Sequence, residues 1–164
     1  MASSSLHQPI LREPLQAASE DQAYSHGVVG VRSRVKMWLA PVIGRPEPVR
    51  FVVDSGASYS LISLDLAAGH GLPVPPAEAE ISVSLQMAGG PATARVRPGR
   101  IRGWWTEKCI GYPFDWPVLF RVGGPSRVPP ILGLGGVIHT CRWTFDGTYS
   151  LDAPYGSLML EDIR

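Results

Sequence analysis

Apolar side chains at Val28, Val29, Val31, Val35, Met37 and Leu39 fall mostly on odd-numbered positions. That period of two predicts a half-buried strand ending near Leu39. Gly44-Arg45-Pro46-Glu47 is a turn cluster, and Val49-Arg50-Phe51-Val52-Val53 predicts a second strand, so the two make a hairpin. It stops abruptly at Asp54-Ser55-Gly56-Ala57-Ser58. Residues 61–71 predict a short helix, ended by Gly71 and Pro73. Residues 81–87 alternate cleanly, break at Ala88-Gly89-Gly90-Pro91, and residues 92–96 alternate again, which predicts a second hairpin. Residues 101–110 and 118–122 are further short strand candidates. Residues 128–138 are apolar but punctuated by Pro129, Pro130, Gly133, Gly135 and Gly136, which prevents a plain strand or helix. Residues 142–145, a turn at Asp146-Gly147 and residues 157–160 complete the pattern. Residues 1–26 are polar, with Pro9 and Pro14 and no sustained period, and predict a flexible or loosely docked N-terminal arm ahead of one domain over 27–164.

Composition agrees with an all-β chain. At 164 residues, 45% hydrophobic and 18% charged, one domain with a true core is expected, not a disordered chain. The 18 glycines and 16 prolines make up about a fifth of the residues, against roughly 12% in average usage, which favours turns over long helices. Fifteen Lys and Arg against fourteen Asp and Glu leave a net charge of +1, without the basic excess that a dedicated nucleic-acid binder shows. Two cysteines, Cys109 and Cys141, are too few for a disulfide framework or an ordinary zinc site, and read as reduced apolar packers. No apolar run approaches the length that crosses a bilayer, and the N-terminal residues lack the apolar core of a secretory signal. The expectation is a cytoplasmic protein with no nucleic-acid or membrane partner.

The candidate chemistry sits where the apolar strand Phe51-Val52-Val53 delivers a carboxylate into a Ser-Gly turn. A lone Asp at a strand end ordinarily starts a turn by accepting backbone N–H bonds. Here small residues follow it, and Ile131-Leu132-Gly133 comes much later in the chain. Asp54-Ser55-Gly56-Ala57-Ser58 resembles the active-site loop of retropepsin-like aspartic proteases, and Ile131-Leu132-Gly133 resembles the hydrophobic-hydrophobic-Gly motif near the end of that domain. Residues 81–96 lie between them, where the family carries its flap. The resemblance spans about residues 28–145.

It implies a closed barrel of short antiparallel strands with a flap hairpin and at most one or two short helices. Asp54 would be catalytic, and Ser55, Gly56, Ala57 and Ser58 would support its loop. Met87, Ala88, Gly89 and Gly90 would form the flap that binds substrate. Such proteolysis uses two carboxylates that share a proton around one water, because like charges about 3 Å apart do not both ionise. The chain has one Asp-Ser-Gly, and its other aspartates, Asp21, Asp65, Asp115, Asp146, Asp152 and Asp162, occupy no equivalent loop. The expected enzyme is therefore an endopeptidase acting on peptide or protein substrates as a homodimer, one Asp54 per subunit, with no cofactor. A catalytically silent dimerisation or peptide-binding domain of the same fold is the alternative.

Other features carry less. His7, His26, His70 and His139 are scattered, so no metal site is expected. Gly56-Ala57-Ser58-Tyr59-Ser60 nearly matches a serine-hydrolase elbow with Ser58 as nucleophile, but Ser60 replaces the last glycine and no βαβ rhythm frames it. Arg95, Arg97, Arg100 and Arg102 punctuate the segment after the flap, either as a solvated strand face or as a preference for acidic peptides. Trp104, Trp105, Trp116 and Trp143 read as core or groove-rim packing. Leu134 stands where many viral members of that family carry an arginine that ties their dimer together, so the resemblance implies a dimer here that is either built differently or weaker.

Overall fold

The computed structural model describes residues 11–17, 31–87, 90–110, 112–124 and 128–162. Twelve strands follow the chain: β1 (Leu11–Pro14), β2 (Gln16–Ala17), β3 (Val31–Arg32), β4 (Arg34–Leu39), β5 (Glu47–Val53), β6 (Ser60–Ser63), β7 (Ile81–Met87), β8 (Gly90–Trp104), β9 (Phe114–Arg121), β10 (Ile131–Leu132), β11 (Cys141–Asp146) and β12 (Ser157–Asp162). One α-helix, α1 (Leu64–Gly69), and two short 3-10 turns are the other regular elements among the described residues. The fold is all-β, as the patterning predicts.

The main sheet runs β4-β5-β10-β6-β9-β8-β7, and β4 also pairs with β8. This second pairing sets Trp38 opposite Trp104 and closes the strands from β4 round to β8 into a ring. β8 makes the closure possible by its length. It pairs with β7 at one end, with β9 along its middle and with β4 at the other. Alternation does the rest: Val35, Met37 and Leu39 of β4 and Val49 and Phe51 of β5 are buried, while Lys36 and Arg50 lie across from each other on the other face. Phe51 meets Trp116 of β9 edge-on, with ring centroids 6.4 Å apart. Each of those fully buried aromatics stabilises the fold by roughly 2–3 kcal/mol of burial.

Three elements differ from the sequence pattern. Residues 61–71 split: β6 takes residues 60–63, because Leu61 is needed between β10 and β9, and only α1 is helical, its first turn capped by the Ser63 hydroxyl accepting from the Leu66 N–H at 3.1 Å. The strand candidates at 92–96 and 101–110 are one strand, β8, which runs straight through Pro98 and Gly99 and ends at Trp104. Gly99 is tolerated mid-strand because a Cβ there would press on Pro75 and Phe120.

The third element is the arm over residues 1–26, expected to be flexible or loosely docked, part of which is paired into a sheet. Leu11–Pro14 is a strand, paired antiparallel to β12 with Leu11 opposite Leu160, in a sheet of order β1-β12-β11. Leu11 and Leu15 pack on the main core, and Arg12 donates to Asp146 Oδ2 at 3.2 Å. Two leucines four residues apart are enough apolar surface to dock a segment once a sheet edge offers it hydrogen bonds. The rest of the expected arm, residues 1–10 and 18–26, lies outside the described residues.

Candidate active site

Asp54 is the first residue beyond β5, and two backbone bonds fix it. Its N–H donates to the Leu132 carbonyl at 3.0 Å, and its own carbonyl accepts from the Ala57 N–H at 3.2 Å. Its Oδ1 accepts from the Gly56 N–H at 2.9 Å, which turns the carboxylate back over its own loop. A Cβ on Gly56 would sit 3.2 Å from that Oδ1, so the small residue keeps the approach open.

The 131–133 segment holds the loop from the other side. Ile131 and Leu132 pair in parallel with Val52 and Val53, and Ile131 pairs antiparallel with Leu61. β10 thus lies between the strand that enters the Asp54 loop and the strand that leaves it. Beyond it the Leu134 N–H donates to the Ala57 carbonyl at 2.8 Å and the Gly135 N–H to the Ser58 carbonyl at 3.2 Å. The buried Ser60 hydroxyl accepts from the Gly133 N–H at 3.1 Å. At Gly133 any Cβ would run into the Tyr59 carbonyl, and it would lie 2.8 Å from the Ala57 oxygen. Close approach of backbone to backbone is what demands glycine there.

The Asp54 side chain is exposed and forms part of the wall of a cleft of about 680 Å³. Gly56, Ala57, Ser58 and Tyr59 continue the wall from the loop, Ile131 comes from β10, and Ser84, Leu85 and residues 92–95 come from the β7–β8 hairpin. Leu61 and Leu119 form an apolar floor. Asp54 supplies the one carboxylate among the described residues of this wall.

A carboxylate delivered by a strand into a glycine turn, braced by a hydrophobic-hydrophobic-Gly segment and overhung by a hairpin, is the arrangement implied by the sequence. Residues 40–112 match the family model described as aspartyl protease. That stretch, less than half of the chain, is similar to the retropepsin-like aspartyl proteases. It takes in β5, the Asp54 loop and the β7–β8 hairpin, and the bracing segment at 131–133 follows outside it. A search of curated proteins finds no match.

Of the residues that the resemblance assigns to a flap, Met87 and Gly90 lie within the described backbone. Met87 ends β7 and pairs with Gly90 at the start of β8, whose φ of 109° suits glycine. Ala88 and Gly89 lie outside the described residues. Leu132 is fully buried, so of the 131–133 motif Ile131 faces the cleft while Leu132 anchors the brace in the core. Ser58 fits no nucleophile elbow: its loop leads from strand to strand, and no histidine lines the described cleft wall. Among the described residues no cluster of His, Cys, Asp and Glu could hold a metal ion.

Of the arginines after the hairpin, Arg95 and Arg97 both face Glu80, at 3.0 and 3.7 Å, while Arg100 and Arg102 share Asp115. Sequence reasoning missed Tyr59, Leu61, Leu119, Arg121 and the Gly123-Gly124 turn as cleft residues. The register that brings them together is long-range: Leu119 reaches the cleft because β9 pairs in parallel with β6.

Proposed function

We propose that the protein is an aspartic endopeptidase whose active unit is a homodimer related by a two-fold axis, each copy contributing Asp54. The observation that carries this reading is the exposed Asp54 carboxylate in a cleft wall that holds no second carboxylate among the described residues. A group that must share a proton with a twin has to remain accessible within its own protomer, and a symmetric pairing brings the same loop from the second copy. The brace from residues 132–135 supports it, because it fixes the backbone of the loop before any partner arrives.

In such a pair, the ionised carboxylate takes a proton from the water held between the two aspartates. The water oxygen bonds to the scissile carbonyl carbon as the protonated carboxyl gives its proton to the carbonyl oxygen. The tetrahedral intermediate then breaks its C–N bond as the leaving nitrogen takes the proton that the first carboxylate had accepted. One hydroxyl of the diol returns its proton to the second carboxylate, leaving the carboxylic acid product and the starting pair.

Peptide hydrolysis by purified protein, set beside Asp54→Asn and with a statine-type inhibitor, tests the reading. Cleavage that is blocked by the inhibitor and absent from the variant supports it. Cleavage undiminished in Asp54→Asn excludes it, and peptide binding without turnover at acidic or neutral pH would point to the silent binding domain.

A further inference from the structure

The turn between β4 and β5 carries two neighbouring aliphatic side chains in open solvent: Val42 is 70% exposed and Ile43 90%. The tip that bears them is held in place. Its Val42 N–H donates to the Gly71 carbonyl at 2.8 Å, and the Ala40 N–H donates to the Arg102 carbonyl at 2.8 Å. Single exposed aliphatics are ordinary, whereas an adjacent pair on an anchored tip is apolar surface that folding leaves uncovered.

The rest of this hairpin is basic. Residues 34–53 hold Arg34, Lys36, Arg45 and Arg50 against one acid, Glu47, in a chain whose net charge is +1. Glu47 is turned toward His70, with its Oε2 3.0 Å from Nδ1. Lys36 and Arg50 lie directly opposite each other on the outer face, where like charges repel. Neither is ion-paired to a described residue; the Lys36 ammonium leans over the Trp38 ring, 5.5 Å from its centroid. We propose that this hairpin docks on an anionic lipid bilayer, with the Val42-Ile43 tip entering the apolar layer and Lys36, Arg45 and Arg50 facing the headgroups.

The register orders these groups by depth. Behind the tip come Trp38 and Pro48, opposite each other across the two strands, and two residues further back come Lys36 and Arg50. Two residues of strand span about 7 Å. That matches the roughly 5–8 Å of polar layer on each side of the hydrocarbon. Aliphatic tip, half-buried tryptophan and then cations is the order of chemistries met on leaving a bilayer, since Trp favours the interface and Lys and Arg the anionic headgroups. Shape separates this occupant from a folded protein: a protruding tip needs a matching groove in a protein but only displaces lipid in a bilayer. Three cations are also few for the row of phosphate contacts that holds a nucleic acid. The expectation of no membrane partner concerns a spanning segment, and contact with one leaflet needs none.

Vesicle flotation of the purified full chain tests the proposal and requires no peptidase activity. The probes are vesicles of phosphatidylcholine alone and of phosphatidylcholine mixed with phosphatidylserine. Wild type should bind the mixed vesicles about tenfold or more tightly than the neutral ones, and less well as salt rises. Val42→Ser combined with Ile43→Ser should weaken that binding about tenfold. Lys36→Gln combined with Arg50→Gln should weaken it by a similar factor and flatten its salt dependence. Ile43→Trp supplies a reading of depth: phospholipids brominated in their acyl chains should quench its emission more than that of wild type. No binding to mixed vesicles, or binding that survives both double substitutions, overturns the proposal. Displacement from vesicles by soluble phosphoserine, with the tip substitutions without effect, would assign the cations to a free phosphate group and overturn it too. Tighter binding of an acidic peptide than of mixed vesicles does the same in favour of a protein partner. Each of these results leaves the peptidase reading where it stands.

Discussion

The Asp54 N–H donates to the Leu132 carbonyl at 3.0 Å, and the Gly133 N–H donates to the Ser60 hydroxyl at 3.1 Å. Two segments far apart in the chain thus stitch the Asp54 loop at its entry and at its exit. The loop is rigid because β10 fills the space between β5 and β6, and not because of anything within residues 54–58 alone.

Gly133 is the tightest point of that stitch. Alanine there must displace the Tyr59 carbonyl, and overpacking of this kind destabilises by about 1–3 kcal/mol. Urea unfolding of Gly133→Ala should show a lowered midpoint with an unchanged slope. An unchanged midpoint would mean that the two backbones are not held as closely as described.

Ser60 is fully buried, and its hydroxyl satisfies a backbone N–H that has no access to water. Ser60→Ala should destabilise by roughly 1–3 kcal/mol, the desolvation cost of an orphaned donor. Hydrogen exchange supplies the local reading: the Gly133 amide should exchange faster in the variant, while those of β8 and β9 keep their protection. Uniform loss across the sheet would assign Ser60 to general packing instead.

The docked N-terminal strand makes a prediction about pH. The Asp146 carboxyl is held below its ordinary value, first by the hydrogen bond from the Thr148 side chain and then by the Thr148 N–H at 2.9 Å, with Arg12 adding attraction. A lowered folded-state value means that the unfolded chain binds the proton first as pH falls. The stabilisation is therefore whole above about pH 4, the ordinary carboxylate value, and is lost as pH drops below it. The melting temperature of wild type should exceed that of Asp146→Asn at neutral pH, and the gap should close at the acid end. A gap independent of pH would contradict this.

Tyr59 and Leu134 are exposed on either side of the braced loop, at 61% and 43% of their full accessibility. In the proposed homodimer they flank the meeting point of the two Asp54 loops, and Leu134 takes the place of a charged tie with an apolar one. Leu134→Asp should weaken self-association at least tenfold in sedimentation equilibrium while leaving the circular dichroism spectrum unchanged. Wild type that stays monomeric at all concentrations would remove the two-copy mechanism.

Sequence patterning reached the parts of this fold that depend on neighbours in the chain. The β4–β5 hairpin, the Asp54 turn and the β7–β8 reversal all follow from local alternation and turn residues. What it missed depends on distant partners. Leu61 reads as the start of a helix until β10 and β9 claim it from both sides, and Leu11–Pro14 reads as an arm until β12 offers an edge. Arg121 has no sequence signal at all, because its place in the cleft is set by a parallel pairing and by a glycine turn whose backbone angles residue type alone does not fix. Asp54 stood out through its context, the small residues that follow it and the Ile131-Leu132-Gly133 segment far downstream, because a strand-end Asp ordinarily only starts a turn.

The most direct measurement mixes wild-type protein with an excess of Asp54→Asn under conditions where subunits exchange, and follows peptide hydrolysis. If each active site needs one Asp54 from each copy, the variant alone is inactive and the mixture loses activity as heterodimers form, in proportion to the fraction of wild-type subunits drawn into them. Activity per wild-type subunit that stays constant however much variant is added would contradict the shared site.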